Sequence, residues 1–223
     1  MLKAVPEPRS VFLTGGTGYM GRRLAAALLS RGHVVRALVR RGSERKLPPG
    51  CPTVIGDALN HKTYAARIAA ADTFVHLVGV AHPGPAKAAL FRSVDLASVR
   101  EALAAATVAR VRHFVYVSVA QPAPIMKAYL AARAEAEVLI RVSSLNATIL
   151  RPWYVLGPGH WWPALLLPLY WALGALPSTR DGARRLGLVT LRQMITGLVA
   201  AVESPSAGVR VLGVPEIRKR ALA

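Results

Sequence analysis

Val11-Phe12-Leu13-Thr14-Gly15-Gly16-Thr17-Gly18-Tyr19-Met20-Gly21 is the stretch from which the rest of this chain is read. The apolar run Val11 to Leu13 predicts a strand, which breaks into a turn at Thr14, Gly15 and Gly16. A helical pattern follows, with Met20, Leu24, Ala27 and Leu28 on one face. Strand, glycine turn and helix open a βαβ unit. Gly15, Gly18 and Gly21 stand three apart, and each has a task that a side chain would obstruct. Gly15 permits the tight turn, Gly18 lets the backbone approach a pyrophosphate, and Gly21 lets helix and strand pack closely. The helix start turns N–H groups and the positive end of its dipole to that phosphate. Thr14, Gly15, Thr17, Gly18, Tyr19, Met20 and Gly21 are therefore the candidate dinucleotide-binding residues. A tight strand-to-helix turn without a ligand is the plainer alternative.

The chain has 223 residues, enough for one α/β domain with a sizeable core. Lys plus Arg number 29 against 11 Asp plus Glu, a net charge of +18 that argues for anionic company. Nucleotide phosphates and an anionic membrane surface are both consistent with that balance. No arginine-aromatic RNA motif or zinc knuckle supports a nucleic-acid partner. The single cysteine, Cys51, excludes an intramolecular disulfide and reads as an inert small residue. The N-terminus carries no apolar h-region before the first strand, so the expectation is a cytoplasmic protein.

Strands and helices then alternate. His33–Val39 is the second strand, ending in Arg40 and Arg41, with Arg45 close behind. In a dinucleotide fold this strand end meets the adenosine ribose, where an acid would take the 2′-hydroxyl and an arginine a 2′-phosphate. No Asp or Glu lies there, so NADP(H) is preferred over NAD(H), with Arg40 the leading candidate and Arg41 and Arg45 in reserve. A solvated basic loop is the alternative. Thr53–Ile55 is a third strand, closing at Gly56-Asp57-Ala58, where Asp57 faces adenine or caps a helix starting near Asn60. Thr73–Val78 is the fourth strand, and Gly79 begins a Gly/Pro loop on the cofactor side that carries His82. A long helix is predicted over Lys87–Thr107, a strand over Val111–Val119 with Ser118 at its end, a helix over Ile125–Val142 and a strand over Asn146–Leu150. The pattern gives a parallel, doubly wound sheet with right-handed crossovers.

The texture changes after Arg151. Three of the four tryptophans lie within Trp153–Trp162, and Trp161–Pro177 has no charged residue. That stretch is short for a membrane span, and prolines interrupt it. A core or substrate-pocket helix is one reading and contact with a membrane surface the other. Leu188-Val189 reads as a short strand, Thr190 as the N-cap of a helix over Leu191–Glu203, Val209–Val214 as a last strand, and the remainder as a basic tail. The expected division is a dinucleotide-binding core over residues 1–151 and a small substrate-side region, 152–223, packed on the same domain.

Together these residues resemble the short-chain dehydrogenase/reductase superfamily, of the extended or atypical kind related to NAD-dependent epimerases and dehydratases. The resemblance covers nearly the whole chain. It rests on Thr14 to Gly21, on Gly56-Asp57, on Phe114-Val115-Tyr116-Val117-Ser118, and on Leu150-Arg151-Pro152-Trp153-Tyr154. It implies a Rossmann fold and cofactor contacts at Asp57, Ala58, Val78, Gly79 and Pro152. It also implies an active-site Ser118 and a substrate region around His82, Trp153, Tyr154, His160 and Trp161. Among the branches, the chain is similar to small NAD(P)H-binding proteins, including relatives of a complex I accessory subunit that binds nucleotide without evident catalysis. Two long helices also make a homodimer an expectation by analogy.

One departure stands out. The superfamily's signature is Tyr, three residues, Lys; here Tyr129 is followed four residues later by Arg133. The pair keeps one helix face. A cation favours the phenolate of a neighbouring phenol, and Arg supplies a permanent charge, but from a larger planar group with different reach. The resemblance implies that Tyr129 exchanges a proton with substrate, Ser118 hydrogen-bonds the substrate oxygen, and Arg133 holds the ribose and biases Tyr129. The first reading is thus an NADP(H)-dependent oxidoreductase of an apolar carbonyl or alcohol compound. A non-catalytic NADPH-binding module is the second, and a sugar-nucleotide epimerase or dehydratase a weaker third. No His, Cys, Asp or Glu cluster has metal-ligand spacing.

Overall fold

A computed structural model describes residues 7–68 and 70–220. The absence of an apolar leader was read partly on residues 1–6, which lie outside the described residues. Seven parallel strands form one sheet: β1 (Ser10–Thr14), β2 (Val34–Val39), β3 (Thr53–Ile55), β4 (Thr73–His76), β5 (His113–Val117), β6 (Asn146–Leu150) and β9 (Val209–Leu212). Their order, β3-β2-β1-β4-β5-β6-β9, reverses direction between β1 and β4. The protein is therefore an α/β doubly wound Rossmann-type fold, and the reversal opens a crevice at the carboxyl ends of β1 and β4.

The central strands β1, β4, β5 and β6 are short apolar runs buried on both faces, as a parallel sheet covered by helices requires. One face packs Phe12, Phe74, Phe114 and Tyr116 against α3 (Ala97–Val108) and α4 (Lys127–Val142). The other packs Leu13, Val75, Val115 and Leu150 against α1 (Gly21–Ser30) and α7 (Leu191–Glu203). Thr190 caps α7 in a full capping box with Gln193. The core thus does not divide at residue 151: β9 and α7 come from beyond it and complete the sheet and its second layer. In the intervening segment β7 (Val155–Leu156) and β8 (Val189–Thr190) pair with each other, and Val189 joins the second core layer. What stands outside the core is α5 (Leu167–Ala175) and α6 (Arg180–Arg185). The expected basic tail is α8 (Val214–Arg220), whose Val214 and Ile217 are buried.

The stretch predicted as one helix over Lys87–Thr107 is interrupted. After the short α2 (Ala88–Leu90), residues Phe91–Leu96 form a π-turn before α3 begins. The helix predicted near Asn60 is a single 3-10 turn, His61–Thr63, and Asn60 itself caps it. Asp57 instead accepts the Leu59 N–H, fixing the exposed turn after β3.

Two histidines are buried in the sheet. His76 bridges the Thr14 and Ser98 hydroxyls at 2.8 and 3.2 Å. Burial, and then the charge of Arg133, press its pKa down to about 3. Burial and neighbouring arginines press His113 to about 4. Between those values and about 6.5 the unfolded chain binds protons that the native state refuses, so stability rises with pH across this window. Thermal melts should show Tm falling between pH 7 and pH 5, as each histidine removes on the order of 1 kcal/mol of stability per pH unit below about 6.5. A Tm that stays flat over that range would refute the assignment of neutral buried imidazoles.

Candidate active site

The glycine turn is built as its spacing demands. Gly15 has φ +73°, and a Cβ there would stand 2.6 Å from the Leu77 carbonyl carbon. A Cβ on Gly21 would lie 2.2 Å from the Gly15 oxygen, so only glycine lets α1 start there. Gly18 is different: it is exposed, and a Cβ would meet only the Gly15 oxygen, at 3.1 Å. Among the described residues, the Tyr19 and Met20 amides donate to no acceptor. An open glycine face beside free amides at the start of a helix fits a pyrophosphate. Thr14 turns its hydroxyl inward to His76 and Thr17 stays half-exposed at the rim.

Arg40 and Arg41 are exposed at the end of β2, and neither side chain has a partner among the described residues. They are free to meet a ligand. Ala58 packs against the core below Asp57. Val78 and Gly79 lead out of β4, and a Cβ on Gly79 would lie 2.6 Å from Arg133 Nη2, so the glycine makes room for that guanidinium. Pro152 is buried where its carbonyl accepts the Ala120 N–H, continuing the β5–β6 ladder past Ser118.

Arg133 is the centre of the site, but it faces inward, with only 6 % exposed. Its Nη1 donates to Tyr116 Oη at 3.0 Å and to the Val117 carbonyl at 2.9 Å, and its Nη2 pairs with Asp95 at 3.4 Å. Its guanidinium lies 5.0 Å from the centre of the Tyr129 ring. The expectation that Arg133 reaches out to a ribose is therefore corrected: these partners hold the guanidinium in the protein. Its place beside Tyr129 is as expected. Burial opposes the charge, yet Tyr116, Tyr129 and Asp95 outweigh it and hold Arg133 above its ordinary range. Burial pushes Tyr116 up to about 12 against the pull of Arg133, so it stays a neutral phenol.

Tyr129 is half-buried, its ring packed at 5.0 Å on Phe91. Its hydroxyl makes no hydrogen bond among the described residues. The π-turn explains this arrangement. It brings Phe91 under Tyr129 and, one turn later, Asp95 to Arg133 and to the Val80 N–H at 2.6 Å. A π-turn within an α-helix is a frequent mark of a functional site.

Ser118 is 3 % exposed and donates to Glu137 Oε1 at 2.6 Å. With that bond made, its proton is not available to a substrate oxygen, which revises the expected role. Glu137 also accepts from Gln121 and from both Nε and Nη2 of Arg151. Asp95 and Glu137 were missed by sequence reasoning. A signal existed for Glu137, an acid four residues after Arg133 on the buried face of α4.

His82 and His160 belong to loops 78 positions apart in the chain. The structure stacks them, ring centres 4.9 Å apart, with His160 also 4.9 Å from Tyr19. Loops following β1, β4 and β7 thereby meet over the crevice. Trp153, Tyr154 and Trp162 form an edge-to-face ladder, with centroid spacings of 5.4 and 5.2 Å, running outward from β6. Trp161 is not in this ladder; it lies exposed beside an apolar pocket of about 430 Å³ between Leu156 and α7.

Residues 15–157 match the family model described as NAD(P)H-binding. This chain belongs to the NAD(P)H-binding family. The resemblance to the short-chain dehydrogenase/reductase superfamily is matched by the fold. Among curated relatives, a 4-hydroxy-2-methyl-3-oxo-4-farnesyl-3,4-dihydroquinoline-1-oxide ketoreductase of Stigmatella aurantiaca is 29 % identical over 168 residues, 66 % of this chain and 50 % of that one. A ceramide reductase of Caulobacter vibrioides is 28 % identical over 209 residues, covering 93 % of this chain and 63 % of that one. The chain thus spans about half to under two thirds of the length of these relatives. A superfamily protein of Agrobacterium tumefaciens, solved with NAD bound, shares the fold with TM-score 0.66 and 21 % identity, over 92 % of this chain and 77 % of that one.

Proposed function

We propose that this NAD(P)H-binding protein is a reductase of an apolar carbonyl compound and takes NADPH in preference to NADH. The observation that carries the reading is Tyr129: a phenol whose hydroxyl has no partner among the described residues, seated on a fixed guanidinium at the carboxyl edge of the sheet. When bound, the nicotinamide supplies the hydride. Tyr129 gives its proton to the carbonyl oxygen as that oxygen gains charge. Arg133 stabilises the phenolate left behind, without itself touching substrate. The Trp153–Tyr154–Trp162 ladder provides an apolar wall for the substrate. That two relatives are named reductases of farnesylated and ceramide substrates agrees with this choice.

The cofactor preference rests on Arg40 and Arg41, exposed at the end of β2, whose side chains pair with no carboxylate among the described residues. Fluorescence titration should show NADPH bound at least tenfold more tightly than NADH, roughly one bidentate arginine–phosphate contact. Arg40→Asp should erase that margin. Equal affinity for both cofactors in the parent protein would remove the NADP(H) assignment and leave the reductase reading standing.

The inward-facing Arg133 favours a second reading, an NADPH-binding module without turnover. It predicts tight cofactor binding, no carbonyl-dependent oxidation with any apolar ketone, and no gain on Arg133→Lys.

A further inference from the structure

The segment between β7 and β8 departs most from what a folded chain does with apolar residues. Residues Trp162–Leu166 form a 3-10 turn that runs into α5, Leu-Pro-Leu-Tyr-Trp-Ala-Leu-Gly-Ala. No residue of α5 is buried, although it is apolar on every side. Leu165 and Trp171 are 83 % and 81 % exposed, and Trp161, Trp162, Leu169 and Leu176 are exposed as well. The expectation of a core helix is thus overturned. A contiguous apolar face of this kind marks an interaction surface.

Its surroundings indicate the occupant. α6, packed on α5, carries Arg180, Arg184 and Arg185 against a single acid, Asp181. At the other end, the apolar pocket beside Trp161 has Arg23 and Arg192 among its walls, with Leu156, Leu191 and Ile195. The apolar face is therefore flanked by cations at both ends, and tryptophan sits between apolar and charged surface. Against a second copy, like charges would meet across the interface on a chain of net charge +18. Lipid phosphates would neutralise them. No helix among the described residues is long and apolar enough to cross a membrane, so the geometry is that of a segment lying in the interface plane.

We propose that Trp161–Leu176 docks this protein on an anionic bilayer surface. Leu165 and Trp171 enter the acyl boundary, the arginines of α6 and Arg192 meet lipid phosphates, and the pocket beside Trp161 receives an acyl chain. The Tyr154–Trp162 contact ties this face to the apolar wall of the crevice, 5.2 Å between ring centres. The inference stands on exposure and charge alone and does not depend on turnover.

The test is co-sedimentation of the full chain with vesicles of phosphatidylcholine alone and of phosphatidylcholine with phosphatidylglycerol. The expected result is sedimentation with the phosphatidylglycerol vesicles, weakened by salt, with a blue shift of tryptophan emission. Trp171→Glu should reduce partitioning roughly tenfold, and Arg184→Glu should reduce it less. Both positions are exposed, and an unchanged NADPH titration confirms that each variant is folded. Failure to sediment with either vesicle, equal sedimentation with both, or undiminished binding by Trp171→Glu overturns the proposal. So does a dimer in sedimentation velocity that Trp171→Glu dissociates, which would assign the face to a second copy.

Discussion

Tyr129→Phe is expected to cut carbonyl-dependent NADPH oxidation by roughly 10²–10⁴-fold while leaving NADPH affinity unchanged. The substitution removes one oxygen from a half-buried ring. The packing on Phe91 and the face toward Arg133 are kept, so little else should change. The proton lost is the one the reduced carbonyl oxygen needs. Ser118→Ala should cost less, because the Ser118 hydroxyl already donates to Glu137. The order of the two effects is therefore diagnostic. Steady-state kinetics with an apolar ketone, paired with fluorescence titration of the cofactor, measures both. If Tyr129→Phe turns over as fast as the parent, Tyr129 is not the proton donor. If Ser118→Ala proves the more damaging, the Ser118–Glu137 bond must open during the reaction, and Glu137 gates it.

What the sequence made legible follows from how local each signal is. The glycine turn, the succession of strands and helices and the Thr190 cap are set by residues within a few positions of one another, and the backbone obeys them. Tyr129 and Arg133 were findable because helical periodicity puts positions four apart on one face. The Asp95–Arg133 pair was not, since its members are 38 positions apart and a π-turn aims the acid inward. A lone Asp in a helix reads as a solvent-facing residue until its partner is known. The Trp161–Leu176 stretch misled for the opposite reason. Apolar composition measures the gain on burial but does not say against what, and here the described residues leave the stretch uncovered.

Asp95→Ala is expected to destabilise the fold by about 3–5 kcal/mol, a large share of an ordinary domain's stability. Asp95 is 1 % exposed and Arg133 hardly more, so water cannot replace the missing carboxylate. Burial pushes the Asp95 carboxyl up, and Arg133 and the Val80 N–H pull it back. Its removal orphans that N–H and strips the guanidinium of its counter-ion, leaving it, among the described residues, the Tyr116 and Val117 oxygens. Two further variants separate these losses. Asp95→Asn keeps an acceptor for Val80 and removes only the charge. Asp95→Ala with Arg133→Met removes both charges, and an apolar pair in place of a buried ion pair is often close to neutral. The double variant should therefore recover most of the stability that Asp95→Ala loses, while turnover stays low because Tyr129 has lost its cation. Urea unfolding of the parent, the singles and the double gives the coupling energy directly. A coupling below about 0.5 kcal/mol, the margin within which independent sites add, would show that Asp95 does not hold Arg133. The fixed cation beneath Tyr129 would then need another explanation. A large coupling with preserved stability in the double would mean that the ion pair is kept for the chemistry at Tyr129 and not for the fold.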